Sequence, residues 1–341
     1  MRPLPQIAVW QNVDKARFDN EIKPLAQPAV LKGFVSNWPV VKAAAESDEC
    51  LLDLLKADYK GGEARFLSQS AEEDGYYFYD KAYSGFNFTR KIASLDAIFQ
   101  LLKARITDST ADRIAMQSAP VNDYFHTLGQ LNSLSLYSSS IEPRFWLGTE
   151  GKVNTHYDDA DNIACVVSGK RVFTLFPPEQ IKNLYIGSLE NTPGGAAVSL
   201  AKLDQPDFQQ YPKLQYALNH ALQAELEPGD AIYIPALWWH HVEAKSKLNM
   251  LINYWQGGSI EGLQHPTGLD AVLVGLVSLA KLPRAQRQGW IAIFHYLVGS
   301  DRAEFEYIPE PLKGLLSGDN KESEQKVYQW LQTVLQQSKN K

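Results

Sequence analysis

Asn162-Ile-Ala-Cys-Val-Val-Ser-Gly-Lys-Arg-Val-Phe-Thr-Leu-Phe176 contains two short apolar runs, Asn162–Val167 and Val172–Phe176, parted by a Gly-containing break. The same texture extends on both sides, with Arg144–Leu147, Ala231–Ile234, Trp239–Ala244 and Leu248–Trp255 bounded by Gly, Pro and Asn. Closely spaced β-rich runs without helical periodicity between them predict an antiparallel sandwich or barrel. Helical patterning flanks this region. Ser94-Leu-Asp-Ala-Ile-Phe-Gln-Leu-Leu-Lys-Ala-Arg105 places apolar residues at 95, 98, 99, 101 and 102 behind a Ser suited to capping. Further upstream, Pro28–Phe34 reads as a strand entering a turn, and Trp38-Pro-Val-Val-Lys as a turn leading into a helix. After Gly258 the segments Leu269–Leu282, Arg284–Leu297 and Glu322–Gln337 are again helical. The expected fold class is therefore mainly β with flanking helices: a catalytic-sized domain over 1–258 and a C-terminal helical module over 259–341. A helical hairpin with an apolar face suits self-association, so a homodimer joined through the C-terminal helices is expected.

Composition narrows the classes. The chain has 341 residues, 45% hydrophobic and 21% charged, and no apolar run approaches the roughly 18 to 20 residues that cross a bilayer. Thirty-three basic against 39 acidic residues leave a net charge of −6, with no long Lys/Arg run, so nucleic-acid backbone binding is not the expectation. The N-terminal residues lack the apolar stretch of a secretory signal, and two Cys cannot make a disulfide scaffold. A soluble, reduced, cytoplasmic protein is expected, with no membrane partner. Eight Trp and 16 Tyr beside three Met suit a ring-lined cleft, though a large β-rich core explains them more plainly.

The chemistry concentrates in Val153-Asn-Thr-His156-Tyr-Asp158. In a strand, residues two apart share a face, so His156 and Asp158 would present an imidazole and a carboxylate together. Such a pair is also an ordinary surface ion pair. A second His on a later strand raises the reading, in Pro228-Gly-Asp-Ala-Ile-Tyr-Ile-Pro-Ala-Leu-Trp-Trp-His240-His241. His240 alternates with Trp238 and Val242 and so faces the apolar side, which leaves His241 outside or behind it. Two imidazoles and one carboxylate form the facial triad of non-haem Fe(II) oxygenases, with positions left open for co-substrate and O₂. A closed structural zinc site would want four ligands, usually thiolates.

These residues, with Ser168-Gly-Lys-Arg-Val-Phe-Thr-Leu-Phe-Pro-Pro178, Pro228–Pro235, Trp238-Trp-His240 and Asn253-Tyr-Trp255, resemble the cupin-like JmjC family of 2-oxoglutarate oxygenases, in particular its asparaginyl-hydroxylase branch and bacterial cupin-like members. The likeness runs from about Pro28 to Trp255. It implies a double-stranded β-helix, a jelly-roll or cupin-like barrel, with Fe(II) held at one mouth by His156, Asp158 and His240. It implies 2-oxoglutarate and O₂ as co-substrates, with a basic residue for the distal carboxylate. Arg171 stands near the position of the family's Lys, with Lys170 as its neighbouring competitor. Asn162 and Asn253 match co-substrate positions, and Thr155 stands close to that of a family Thr. The family's Tyr falls at Ala115, so the resemblance leaves another hydroxyl, such as Ser168 or Thr174, to support that carboxylate. Trp255, Gln117 and Trp239 are candidates for the substrate pocket, with packing as the plainer role for the Trp residues. Tyr76-Tyr-Phe-Tyr79 reads as an edge strand or as part of the mouth of the site.

The function expected is Fe(II)- and 2-oxoglutarate-dependent hydroxylation of a C–H bond in a protein side chain or small molecule. Two rivals remain: a non-catalytic cupin-type small-molecule binding protein, and a dimeric interaction module with a vestigial metal site.

Overall fold

The structure, a computed structural model, describes residues 3–258, 266–318 and 320–339. The chain divides into two compact units, Met1–His265 and Pro266–Lys341. The boundary expected at 258/259 falls beside residues 259–265, which lie outside the described ones.

The first unit carries thirteen strands among its described residues: β1 Ala8–Trp10, β2 Ala29–Leu31, β3 Glu63–Gln69, β4 Thr89–Ser94, β5 Arg113–Pro120, β6 Arg144–Gly148, β7 Gly151–His156, β8 Asp161–Ser168, β9 Arg171–Phe176, β10 Leu222–Leu226, β11 Ala231–Ile234, β12 Trp239–Ala244 and β13 Asn249–Gln256. Nine form one sheet in the order β1-β2-β11-β8-β13-β6-β5-β3-β4, and four form a second in the order β10-β9-β12-β7. All pairings are antiparallel except β1 with β2. The fold is thus mainly β with flanking helices, as the run spacing predicts.

Alternation explains why the central strands read as unbroken apolar runs. On β8, Ile163, Cys165 and Val167 join the core on the outer face of the large sheet, while Ala164 and Val166 join the core between the sheets. On β11, Ala231 and Tyr233 face outward and Ile232 and Ile234 inward. A strand buried on both faces has no polar side to show. The inner core also takes Phe173 and Leu175 of β9, Ala224 and Leu226 of β10, and Leu251 of β13. Helices cover the outer face: Pro39–Glu46 buries Val40 and Val41, Asp48–Ala57 buries Leu51, Leu52 and Leu55, and Leu95–Thr107 buries Ile98, Phe99 and Leu102. Ser94 caps the last of these, its side chain accepting from the Ala97 N–H. Gly169 makes the β8–β9 turn at φ +73°, where a Cβ would come within 2.6 Å of the Leu248 carbonyl oxygen. Only Gly fits there, and the turn delivers Arg171 as the first residue of β9.

Strands β3, β4 and β5 extend the large sheet beyond the region read as β from sequence. β4 (Thr-Arg-Lys-Ile-Ala-Ser) is exposed over four of its six residues, so it lacks the apolar run that marks a strand. Tyr76–Tyr79 is not an edge strand: Tyr76 and Tyr79 make isolated bridges, and all four side chains are buried.

In the second unit, helices span Gly268–Leu279, Arg284–Gly299 and Lys321–Lys339. Thr267 and Asp270 form a reciprocal capping box at the start of the first. No helix among the described residues is long and apolar enough to cross a membrane.

Candidate metal centre

β7 and β12 lie side by side with His156 directly opposite His240, their ring centroids 4.2 Å apart. The pairing continues at Val153 opposite Val242, so β7 spends three residues where β12 spends two. That bulge lets Val153 and His156, an odd number of residues apart, line the same cavity. Asp158 lies beyond the end of β7, so strand alternation does not aim it. Two hydrogen bonds hold it: its carbonyl accepts from the Leu237 N–H at 2.8 Å, and its Oδ2 accepts from the Trp255 indole at 3.1 Å. Asp158 Oδ2 stands 3.6 Å from His240 Nε2. The candidate ligand atoms of His156, Asp158 and His240 all lie within 4.8 Å of one another, the single such group of His, Cys, Asp and Glu among the described residues.

Backbone carbonyls set both imidazoles. His156 Nδ1 lies 2.8 Å from the Asn154 oxygen, and His240 Nδ1 lies 3.0 Å from the Trp238 oxygen. A carbonyl can only accept, so each Nδ1 carries the proton and each Nε2 keeps its lone pair. Burial, and then the neighbouring His156, push His240 down to about 4, so at neutral pH its ring is the uncharged, ligating form. Two oriented neutral imidazoles and a carboxylate on one side of a common centre fit a divalent first-row metal with open positions.

One cavity adjoins the centre through His156, and a second shares four lining residues with it. One is lined by His156, Asn154, Leu67 and Val198, the other by Arg171, Thr149, Gly151 and Val242, and Tyr77, Gln117, Trp146 and Val153 line both. Arg171 is buried, and its Nε has no hydrogen-bond partner. Burial pulls its guanidinium down to about 10, still cationic at neutral pH. Lys170 points elsewhere: its side chain is 53% exposed and its ammonium pairs with Glu227 at 3.0 Å. A buried cation lacking a carboxylate partner fits an anionic ligand better than it fits the empty protein.

The other candidates divide. Gln117 lines both cavities. Asn162 and Asn253 alternate with inner-core residues of β8 and β13, and Asn253 Nδ2 donates to Asn162 Oδ1 at 2.9 Å, leaving Asn253 Oδ1 unpaired. The partner that a buried amide requires is thus partly the second amide. Thr155 is buried with its hydroxyl unpartnered, and it lines neither cavity. Trp239 packs edge-on to Tyr157 at 4.9 Å and donates its indole N–H to the Pro178 oxygen, away from both cavities. His241 is buried rather than outside, 5.7 Å from the Tyr76 ring. Thr174 accepts from Gln223 Nε2, and neither it nor Ser168 reaches the Arg171 cavity. Of the Tyr76–Tyr79 segment, read from sequence as an edge strand or as part of the mouth of the site, Tyr77 lines both cavities.

Trp255 turns out to steady the metal-facing carboxylate. Trp255→Phe keeps a ring but removes the donor to Asp158, and it should weaken Mn(II) binding by about 10- to 100-fold in a calorimetric titration. Unchanged affinity would remove Trp255 from that role.

Residues 15–259 match the family model of the cupin-like domain. Over 116 residues the chain is 33% identical to the lysine-specific demethylase JMJ31 of Arabidopsis thaliana, covering 33% of this chain and 20% of that protein. Over 282 residues it is 24% identical to tRNA wybutosine-synthesizing protein 5 of Gallus gallus, covering 75% of this chain and 78% of the relative. Over 117 residues it is 30% identical to Jumonji C domain-containing protein 5 of Drosophila melanogaster, covering 34% of this chain and 28% of that one. With the demethylase and the Drosophila protein it therefore shares a segment much shorter than either. Strand order, the His-Asp-His cluster and these matches together place the chain in the cupin-like JmjC family.

Proposed function

We propose that the protein is an Fe(II)- and 2-oxoglutarate-dependent oxygenase that hydroxylates a C–H bond of a polypeptide side chain or small molecule. The observation that carries the reading is the convergence of His156, Asp158 and His240, with both Nδ1 protons committed to backbone carbonyls and both Nε2 lone pairs left for an ion. When bound, Fe(II) and 2-oxoglutarate would supply the oxidising chemistry, with O₂ consumed and succinate released. The chain's own part is to bind and orient. His156, Asp158 and His240 would hold the ion, Trp255 steadies the carboxylate, and Arg171 offers a cation at the far side of the adjoining cavities. Val153 and Trp146 line both cavities and give them apolar walls. Succinate release from 2-oxoglutarate by the full chain with Fe(II), without a primary substrate, tests the reading; its absence while metal and 2-oxoglutarate both bind would favour a binding protein.

The relative named for tRNA wybutosine synthesis makes tRNA a competing substrate class, and the net charge of −6 stands against it. We also infer that the C-terminal helices pair with a second copy of this chain. Gly268–Leu279 and Arg284–Gly299 bury no residue and expose Val272, Val277, Ile291, Phe294 and Val298, an apolar surface that a lone unit would leave in water. Val277 is 80% exposed, so Val277→Glu leaves the packing within the unit untouched. Sedimentation should show a dimer for the wild-type chain and a monomer for this variant; a monomeric wild type overturns the inference.

A further inference from the structure

We propose that Asn154 is the positioning residue for the metal ligand His156: its side-chain amide locks the β7 bulge, and the backbone carbonyl of the same residue, held in place by that lock, fixes the imidazole. This rests on the metal-binding part of the oxygenase reading above and adds to it a residue that is not itself a ligand.

The bulge sets two residues of β7, Asn154 and Thr155, across from the single residue His241 of β12. An extra residue disrupts the ladder locally and bends the strand, so something other than regular pairing must fix the backbone there. Four hydrogen bonds converge on it. Asn154 Oδ1 accepts from the Thr155 N–H at 2.9 Å, and Asn154 Nδ2 donates to the Ser199 carbonyl at 2.7 Å. The Ser199 N–H donates back to the Thr155 carbonyl at 2.8 Å. The fourth joins His156 Nδ1 to the Asn154 carbonyl at 2.8 Å.

Asn154 is 1% exposed and stands in a strand, where an amide is costly unless its bonds are made. Both ends of its amide are partnered, whereas the hydroxyl of Thr155 beside it is not. The anchor on the far side is itself held. Ser199 is fully buried, and its hydroxyl donates to the Leu184 carbonyl at 2.5 Å and accepts from the Ala201 N–H at 3.1 Å. On either side of it, the Gly187 N–H donates to the Val198 carbonyl at 2.7 Å and the Leu200 N–H to the Tyr185 carbonyl at 2.9 Å. Val198 lines the cavity that His156 borders, so the Asn154 amide also ties a wall of that cavity to β7.

Asn154→Ala removes the amide and leaves the backbone carbonyl. Asn132→Ala is the control: Asn132 is a buried amide of the same kind beside the Pro39–Glu46 helix, accepting from the Val40 N–H at 3.1 Å and donating to the Leu128 carbonyl at 2.7 Å. Both variants strand buried backbone groups, so both should melt below the wild type. In the metal-free full-length protein, two-bond proton–nitrogen spectra should show His156 protonated at Nδ1 in the wild type and in Asn132→Ala, and a mixture of ring tautomers in Asn154→Ala, with His240 unchanged throughout. Mn(II) titrated by calorimetry should bind Asn154→Ala about tenfold or more weakly, and Asn132→Ala as it binds the wild type. Asn154→Ser keeps a polar group too short to reach Ser199; it should shift both readouts the same way, and it carries the test if Asn154→Ala does not fold. An unchanged His156 tautomer, an unchanged Mn(II) affinity, or an equal loss of affinity in Asn132→Ala overturns the role of Asn154 and leaves the oxygenase reading standing. A wild type that binds no Mn(II) overturns both.

Discussion

His156→Ala and Asp158→Ala should each abolish release of succinate from 2-oxoglutarate by the Fe(II)-supplied full chain. Each removes one of three donors that converge on a single point, and two remaining donors cannot hold a labile divalent ion against water at micromolar supply. Loss of an outer-sphere partner alone typically costs 10- to 100-fold in metal affinity, so loss of a ligand should exceed about 100-fold. The fold should survive in both. His156 gives up one hydrogen bond to the Asn154 carbonyl, and Asp158 keeps its backbone link to Leu237. The two variants should differ in stability. Asp158→Ala strands the buried indole N–H of Trp255, a loss of about 1 to 3 kcal/mol, whereas His156→Ala strands no comparable buried donor. Succinate by NMR, Mn(II) binding by calorimetry and melting by circular dichroism separate these effects. Turnover retained in both variants would refute the metal assignment outright.

Arg171→Met should move two quantities in opposite directions. The guanidinium is buried with its Nε unpaired, and burial is what holds its pKa down. An uncompensated buried cation is destabilising, and replacing buried ionic groups by packed apolar ones often adds about 1 to 4 kcal/mol. The ligand-free variant should therefore melt higher than the wild type. Its affinity for 2-oxoglutarate should collapse, because truncating one side of a buried charged contact costs about 2 to 5 kcal/mol, or roughly 30- to several-thousand-fold. Lys170→Met, one residue away, should change neither quantity beyond about twofold, since its ammonium is solvated and its pairs with Glu225 and Glu227 are exposed. A ligand-free melting point that falls in Arg171→Met would show that the cation has structural partners. Equal losses in the two variants would show that the cavity does not discriminate between these neighbours.

Six of the strands were legible as apolar runs, those of the large sheet because both of their faces are buried, whereas β7 and β10, partly exposed, gave no such run. The runs Arg144–Leu147, Asn162–Val167, Val172–Phe176, Ala231–Ile234, Trp239–Ala244 and Leu248–Trp255 each agree with an observed strand to within one residue at either end. β4 was not legible, since an exposed strand carries charges that look like a loop. Nor was the Tyr76–Tyr79 segment, whose buried rings imitate a strand while its backbone makes one isolated bridge to β7, at Tyr76, and another to Phe86, at Tyr79.

Residue types and local alternation by themselves determined the fold class, the family likeness and the choice of His240 over His241 as the inward ring, because each depends on neighbours within a few positions. Three things waited for the tertiary structure. The β7 bulge turns His156 toward the cavity, Asp158 is aimed by Leu237 and Trp255 from distant segments, and Tyr77 arrives from an excursion of the chain to fill the space beside Ala115 and Gly151. Each is a contact between residues far apart in the chain, and the geometry of such contacts follows from how separate elements pack, which no periodicity along the backbone encodes.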